Sequence, residues 1–164
     1  MDSHEVKGRP VVGIADGTRV GTVDRVFLDL AARRVVGFGI AAAGRRFGTG
    51  PGEPEPTLAA SAVRSLGPDA LMVEDVAAAH AAWVAGNYRE VTAADDLVGR
   101  KVVTEGGADV GHVSAVEFDA ATFAVTGLTV ASGVFRSKSA IPIAAIVRIG
   151  PDVVVVADAD ASTP

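Results

Sequence analysis

The sequence predicts an all-β protein built from two small barrels of similar design, joined by a short helical linker. Three observations predict it. The chain repeats itself, its apolar runs are short and rich in valine, and tight-turn dipeptides separate them. The windows 16–40 and 106–130 stand 90 residues apart and share nine identities in 25 positions, among them Gly17/Gly107, Val20/Val110, Gly21/Gly111, Asp29/Asp119 and Gly37/Gly127. Chance in so Ala/Val/Gly-rich a chain gives roughly two or three. A second block, Gly67-Pro68-Asp69 and Gly150-Pro151-Asp152, repeats at a separation of 83. The difference places seven extra residues in the first copy, in the Gly/Pro-rich stretch from Gly44 to Pro56. The expected division is repeat 1 over 1–75, a linker over 76–95, repeat 2 over 96–158 and a frayed tail over 159–164.

Within each repeat the elements follow in order. Asp16-Gly17 and Gly106-Gly107 read as hairpin turns, since these residues accept positive φ at low cost. The next strand carries Val20, Val23, Val26 and Leu28, matched by Val110, Val113, Val116 and Phe118. Its apolar spacing changes parity twice, which predicts a long strand with bulges. Asp29 and Asp119 open the following turn, where a carboxylate can accept backbone N–H groups. A strand then runs from Val35 to Ala42, or from Val125 to Ala131. Strict alternation would place Val36, Phe38 and Ile40 on one face, with Thr126, Leu128 and Val130 as their counterparts. A short element over 62–66 or 145–149 leads to the Gly-Pro-Asp turn, and 70–73 or 153–156 closes the repeat. In the linker, Asp75 reads as a helix N-cap, Val76 to Ala85 as a short helix, and Gly86-Asn87 as its stop. Thr92-Ala93-Ala94-Asp95 reads as a capping turn into repeat 2.

Composition narrows the function. Lys and Arg number 15 against 20 Asp and Glu, a net charge of −5, which lowers the expectation of general nucleic-acid binding. The absence of cysteine excludes disulfides, thiolate zinc sites and cysteine nucleophiles. The first residues lack the basic and apolar regions of a signal peptide, and no run approaches the ~20 apolar residues of a membrane span. Mean hydropathy is +0.35, from alanine and valine in short strands. A cytoplasmic protein without membrane insertion is expected. The Ala/Val/Gly/Arg bias suggests a GC-rich bacterial genome.

Copy two carries Asp96-Leu97-Val98-Gly99-Arg100-Lys101-Val102-Val103, then Gly106-Gly107, Val110-Gly111-His112-Val113, Phe118-Asp119, Val125-Thr126-Gly127-Leu128, Ile141-Pro142-Ile143 and Ile149-Gly150-Pro151-Asp152. Copy one keeps the frame through Gly8-Arg9-Pro10-Val11-Val12, Gly17, Val20-Gly21, Asp29 and Leu66-Gly67-Pro68-Asp69, but has Leu58-Ala59 where copy two has Ile141-Pro142. In these motifs the chain resembles a tandem of PRC-barrel domains. The family is known from the cytoplasmic part of the photosynthetic reaction centre H subunit and from the C-terminal half of the bacterial ribosome maturation factor. The resemblance implies a small barrel used as a protein-docking surface. The chain lacks the H subunit's membrane helix, and its first half is itself PRC-like, so neither specific role carries over.

The residues offer little chemistry. His4, His80 and His112 have no metal-ligand spacing. Asp29, Asp119, Asp69 and Asp152 are repeated acids, but all sit at turns, where capping is their expected role. No Ser-His-Asp set recurs and no G-x-S-x-G elbow exists. Gly48-Thr49-Gly50-Pro51-Gly52 lacks the strand, the helix and the donors of a phosphate loop. No catalytic residue, cofactor or metal is therefore expected. Arg33-Arg34 and Arg45-Arg46 concentrate positive charge in copy one, as a local anion or RNA patch or as solvated surface beside Glu53 and Glu55. Phe47, Trp83, Phe123 and Phe135 are interface anchors or core packing. The expected function is a non-enzymatic protein-binding or adaptor module, with a ribosome-maturation or RNA-processing accessory as the alternative. Its partner is unidentified, and a homodimer is one way to cover small-barrel edges. The candidate partner-binding residues are Arg33, Arg34, Arg45, Arg46, Phe47, Trp83, Phe135 and Arg136.

Overall fold

The computed structural model describes residues 1–42, 57–75, 91–133 and 137–158. Repeat 1 contains β1 (Pro10–Gly13), β2 (Arg19–Asp29), β3 (Arg34–Ala42), β4 (Thr57–Ala59), a 3-10 turn at Ala60–Ala62, β5 (Ser65–Leu66) and β6 (Leu71–Val73). Then come β7 (Val91–Ala93) and a single helical turn, α1 (Ala94–Leu97). Repeat 2 contains β8 (Lys101–Thr104), β9 (Asp109–Phe118), β10 (Val125–Ser132), β11 (Ser137–Pro142), a 3-10 turn at Ile143–Ala145, β12 (Ile146–Ile149) and β13 (Val153–Val156). The two sheets have the same strand order, β4-β3-β2-β1-β6-β5 and β11-β10-β9-β8-β13-β12, with β7 added beside β2. In each, the first strand pairs in parallel with the last, β1 with β6 and β8 with β13. All other pairings are antiparallel, so each sheet is a curled half-barrel closed by one parallel pair.

The curl comes from bulges. The β2–β3 register slips at Val23/Arg25 and again at Phe27/Leu28, and β9–β10 slips at the corresponding places. The second slip corrects the face expected for β3 and β10. Leu28 pairs with Val35 and Phe27 with Gly37, so Val36 is the extra residue and stands half-exposed. Thr126 is likewise skipped and exposed. The core residues are Val35, Phe38 and Ile40, matched by Val125, Leu128 and Val130. Strict alternation fails because one bulged residue inverts the parity of everything before it.

At Gly111 the backbone holds φ at 139°, and a Cβ there would meet the carbonyl of Ala131 on β10. Gly21 faces the carbonyl of Ala41 in the same way. Gly111→Ala is expected to lower stability by about 2–4 kcal/mol through combined strain and clash, read from urea denaturation. A loss below ~0.5 kcal/mol would show that β10 yields freely there.

Residues 91–97 do more than connect. Thr92 lies in β7, and α1 starts from Ala93 without a side-chain cap, so the expected capping turn is replaced by a strand that pairs antiparallel with β2, Ala93 opposite Phe27. The expected linker helix over 76–85, with His80 and Trp83, lies outside the described residues, as does the tail from 159. Buried side chains of both repeats form one continuous apolar cluster, from Val6 and Phe38 through Phe123 to Val156. Among the described residues the two repeats thus share one core.

Candidate interaction surface

The repeats meet about an internal two-fold. Arg33 and Phe123, 90 residues apart, are the two non-glycine residues with positive φ among those described, at 53° and 63°. Each ends its turn, and the turns bond reciprocally. The Val35 N–H donates to the Phe123 carbonyl at 2.7 Å, and the Val125 N–H donates to the Arg33 carbonyl at 2.9 Å. The N-terminal arms also cross. The Ser3 N–H donates to the Val116 carbonyl at 2.9 Å, and the Phe118 N–H donates to the Met1 carbonyl at 2.8 Å, which adds residues 1–3 to the β9 edge. The buried Ser3 hydroxyl accepts the Val116 N–H at 3.1 Å. β7 makes the matching addition to β2. Each repeat thus lends its leading arm to the other's sheet.

Arg33 and Arg34 belong to this seam. The Arg33 guanidinium donates to the carbonyls of Ile143 (3.2 Å) and Ile146 (3.0 Å), with a longer approach to Val147 at 3.5 Å. Arg34 donates to the Thr122 carbonyl at 3.2 Å. A guanidinium suits the task, since its planar donors reach several carbonyls that a strand end leaves open. Phe123 lies in the core, its ring 5.8 Å from Phe38 at 69° and 6.4 Å from Phe118 at 27°. Edge-to-face aromatic pairs favour such spacings. Arg45, Arg46, Phe47, Trp83, Phe135 and Arg136 lie outside the described residues.

A second arginine pair was not singled out from sequence. Arg9 donates to the Gly67 carbonyl at 2.7 Å, and Arg100 donates to the Gly150 carbonyl at 2.6 Å. Both pin the Gly-Pro-Asp turn to the first strand of their own repeat. The signal was the shared Gly-Arg step, Gly8-Arg9 and Gly99-Arg100.

Two of the repeated acids, Asp29 and Asp119, cap turns. The Asp29 carboxylate accepts the Ala32 N–H at 3.0 Å. That of Asp119 accepts the Ala121 N–H at 2.7 Å and the Thr122 N–H at 2.9 Å. Bonds from the Thr122 and then the Ala121 N–H favour the charged form and hold the Asp119 carboxyl below the usual carboxylate range. Asp119 therefore binds its proton at a lower pH when folded than when unfolded. Its stabilising contribution is complete above the unfolded pKa of about 3.9 and is lost as pH falls through the lowered folded value. Asp119→Asn is expected to flatten the decline in Tm below about pH 4 relative to the parent chain. Parallel Tm profiles would refute the assignment.

Three groups with basic nitrogen line an open cleft of about 890 Å³ on repeat 2: His4, His112 and Lys138. The His4 Nε2 donates to the Ser114 carbonyl at 2.7 Å. Among the described residues no three His, Asp or Glu side chains gather as metal ligands, and no helix is long and apolar enough to cross a membrane.

Among the described residues, the outer edge of repeat 2 differs from that of repeat 1. β11 is six residues long, ends its sheet, and is exposed along its length except at Ile141. Its counterpart β4 has three residues, with Leu58 and Ala59 buried.

Two curled sheets of one strand order, locked by exchanged arms, define a tandem small-barrel protein. The PRC-barrel domain model matches it twice, over residues 1–79 and 89–161, and the chain belongs to the PRC-barrel family as a tandem of two domains. Comparison with curated proteins finds no match.

Proposed function

We propose that the chain is a non-enzymatic docking module, in which the paired barrels form a rigid body that presents the β11 edge to a protein partner. PRC-barrel domains occur in protein-interaction modules and in ribosome maturation factors, and both settings suit a scaffold that binds without reacting. The observation that carries the reading is β11 itself. An exposed sheet edge offers a row of backbone donors and acceptors that an extended peptide can pair with. In repeat 1 the described part of the corresponding strand, β4, has Leu58 and Ala59 buried, whereas β11 is exposed at five of its six residues. The basic patch behind the ribosome or RNA alternative is weakened on this reading, since Arg33 and Arg34 are engaged across the seam.

A tagged pull-down from source-cell lysate, at low and high salt and with and without nuclease, tests the proposal beside Ala140→Pro. Pro142 pairs with Gly127 without a donor, so alternation turns the Ala140 N–H outward, and proline there removes an edge donor while sparing the bonds to β10. A protein retained at high salt and released by Ala140→Pro supports edge docking. Ribosomal proteins lost at high salt in both variants would favour the alternative. A catalytic turnover abolished by one side-chain substitution would overturn the non-enzymatic reading.

A further inference from the structure

We infer that a groove at the seam, on the side of the two-fold opposite Arg33, is a docking site for an arginine side chain of a partner protein. The inference rests on the internal symmetry and does not depend on β11. On one side, Arg33 crosses from repeat 1 and its guanidinium is held by the carbonyls of Ile143 and Ile146. On the other, the equivalent residue is Phe123, and its ring turns inward onto Phe38 and Phe118. The space that Arg33 occupies on the first side is an open groove of about 330 Å³ on the second. Its walls are residues 63–66 of repeat 1 and Ala120, Ala121 and Phe123 of repeat 2.

The wall from repeat 1 matches the segment that holds Arg33. Residues 63–66 stand 83 positions before 146–149, the separation of the Gly-Pro-Asp repeat. Val63 has φ −78° and ψ 121°, against −84° and 114° at Ile146. Each donates its N–H to the first residue of the preceding 3-10 turn, Ala60 or Ile143. With the same backbone path, the carbonyl of Val63 is oriented as that of Ile146 is toward Arg33, and Ala60 stands where Ile143 does.

Charge and shape agree. Arg64 replaces Val147 here, but it is ion-paired with Glu74, so its charge is offset within repeat 1. A planar guanidinium can bridge neighbouring carbonyls while its methylene stem lies along Leu66 and Phe123. A lysine ammonium is a compact, strongly hydrated charge and fits such a fork less well. The two walls come from different repeats, so a bound side chain would extend the existing inter-repeat interface.

The test is an NMR titration of the full chain with arginine amide, with lysine amide and inorganic phosphate at matched ionic strength as comparisons. Arginine amide is expected to shift the backbone amides of residues 63–66 and 120–123, and lysine amide to shift them at least about threefold less at equal concentration. Ala121→Trp and Ser65→Trp, at exposed positions on opposite walls, each fill the groove and should abolish the response, with other amides in place. Absence of an arginine response, an equal response to lysine, a response to phosphate instead, or shifts that persist in both tryptophan variants would overturn the inference.

Discussion

Phe123→Ala is expected to lower the unfolding free energy by about 3–5 kcal/mol, the usual range for losing a buried phenylalanine. Two facts make this position costly. The ring is 8% exposed and touches Phe38 of the other repeat, so truncation opens a cavity in the shared core rather than in one barrel. The backbone is held at φ 63°, which alanine tolerates no better than phenylalanine. Phe123→Gly removes the same ring but relaxes that backbone, and should be less damaging than Phe123→Ala by about 1 kcal/mol. Urea denaturation of the three proteins reads both effects. A Phe123→Ala loss below ~1 kcal/mol would mean that the ring does not join the two cores. Arg33→Ala, at the equivalent position, should cost less, about 1.5–3 kcal/mol, because it removes charge-assisted hydrogen bonds rather than core volume.

The contrast between residues 33 and 123 also shows what the sequence could and could not disclose. The repeat, the turns at Asp29 and Asp119, and a bulged β2 and β9 all followed from local pattern, because glycine, aspartate and valine act within a few residues of themselves. The exchange of arms did not. Residues 1–3 carry no marked strand propensity, and Val91-Thr92 favours a strand but is too short a run to announce one, so both segments take their strand character from the β9 and β2 edges they meet. Arg33-Arg34 read as a basic patch because sequence shows charge but not direction, and their carbonyl partners lie more than 80 positions away. In sequence the aligned pair Arg33 and Phe123 is only an arginine opposite a phenylalanine. In the fold it is the point where the two copies stopped being interchangeable.

Cleavage within residues 76–90 should leave the two halves bound to each other. The arms supply the reason. Residues 1–3 complete the sheet of repeat 2, and β7 completes that of repeat 1, so separation would open two sheet edges and one core at once. A protease site placed in 76–90 and cut after folding is expected to give one species of about the parent mass, 16.5 kDa, in size exclusion at micromolar concentration. Its urea midpoint should rise with protein concentration, since cutting turns an intramolecular contact into a bimolecular one. Two folded halves eluting apart would refute the shared core. Deleting residues 1–5 from the uncut chain sharpens the test. Ordinary domain logic would have this damage repeat 1, which contains those residues. Arm exchange predicts that hydrogen exchange rises first in repeat 2, at the amides of Val116 and Phe118, which lose the Ser3 hydroxyl and the Met1 carbonyl. The repeat that loosens thereby identifies which sheet the arm serves.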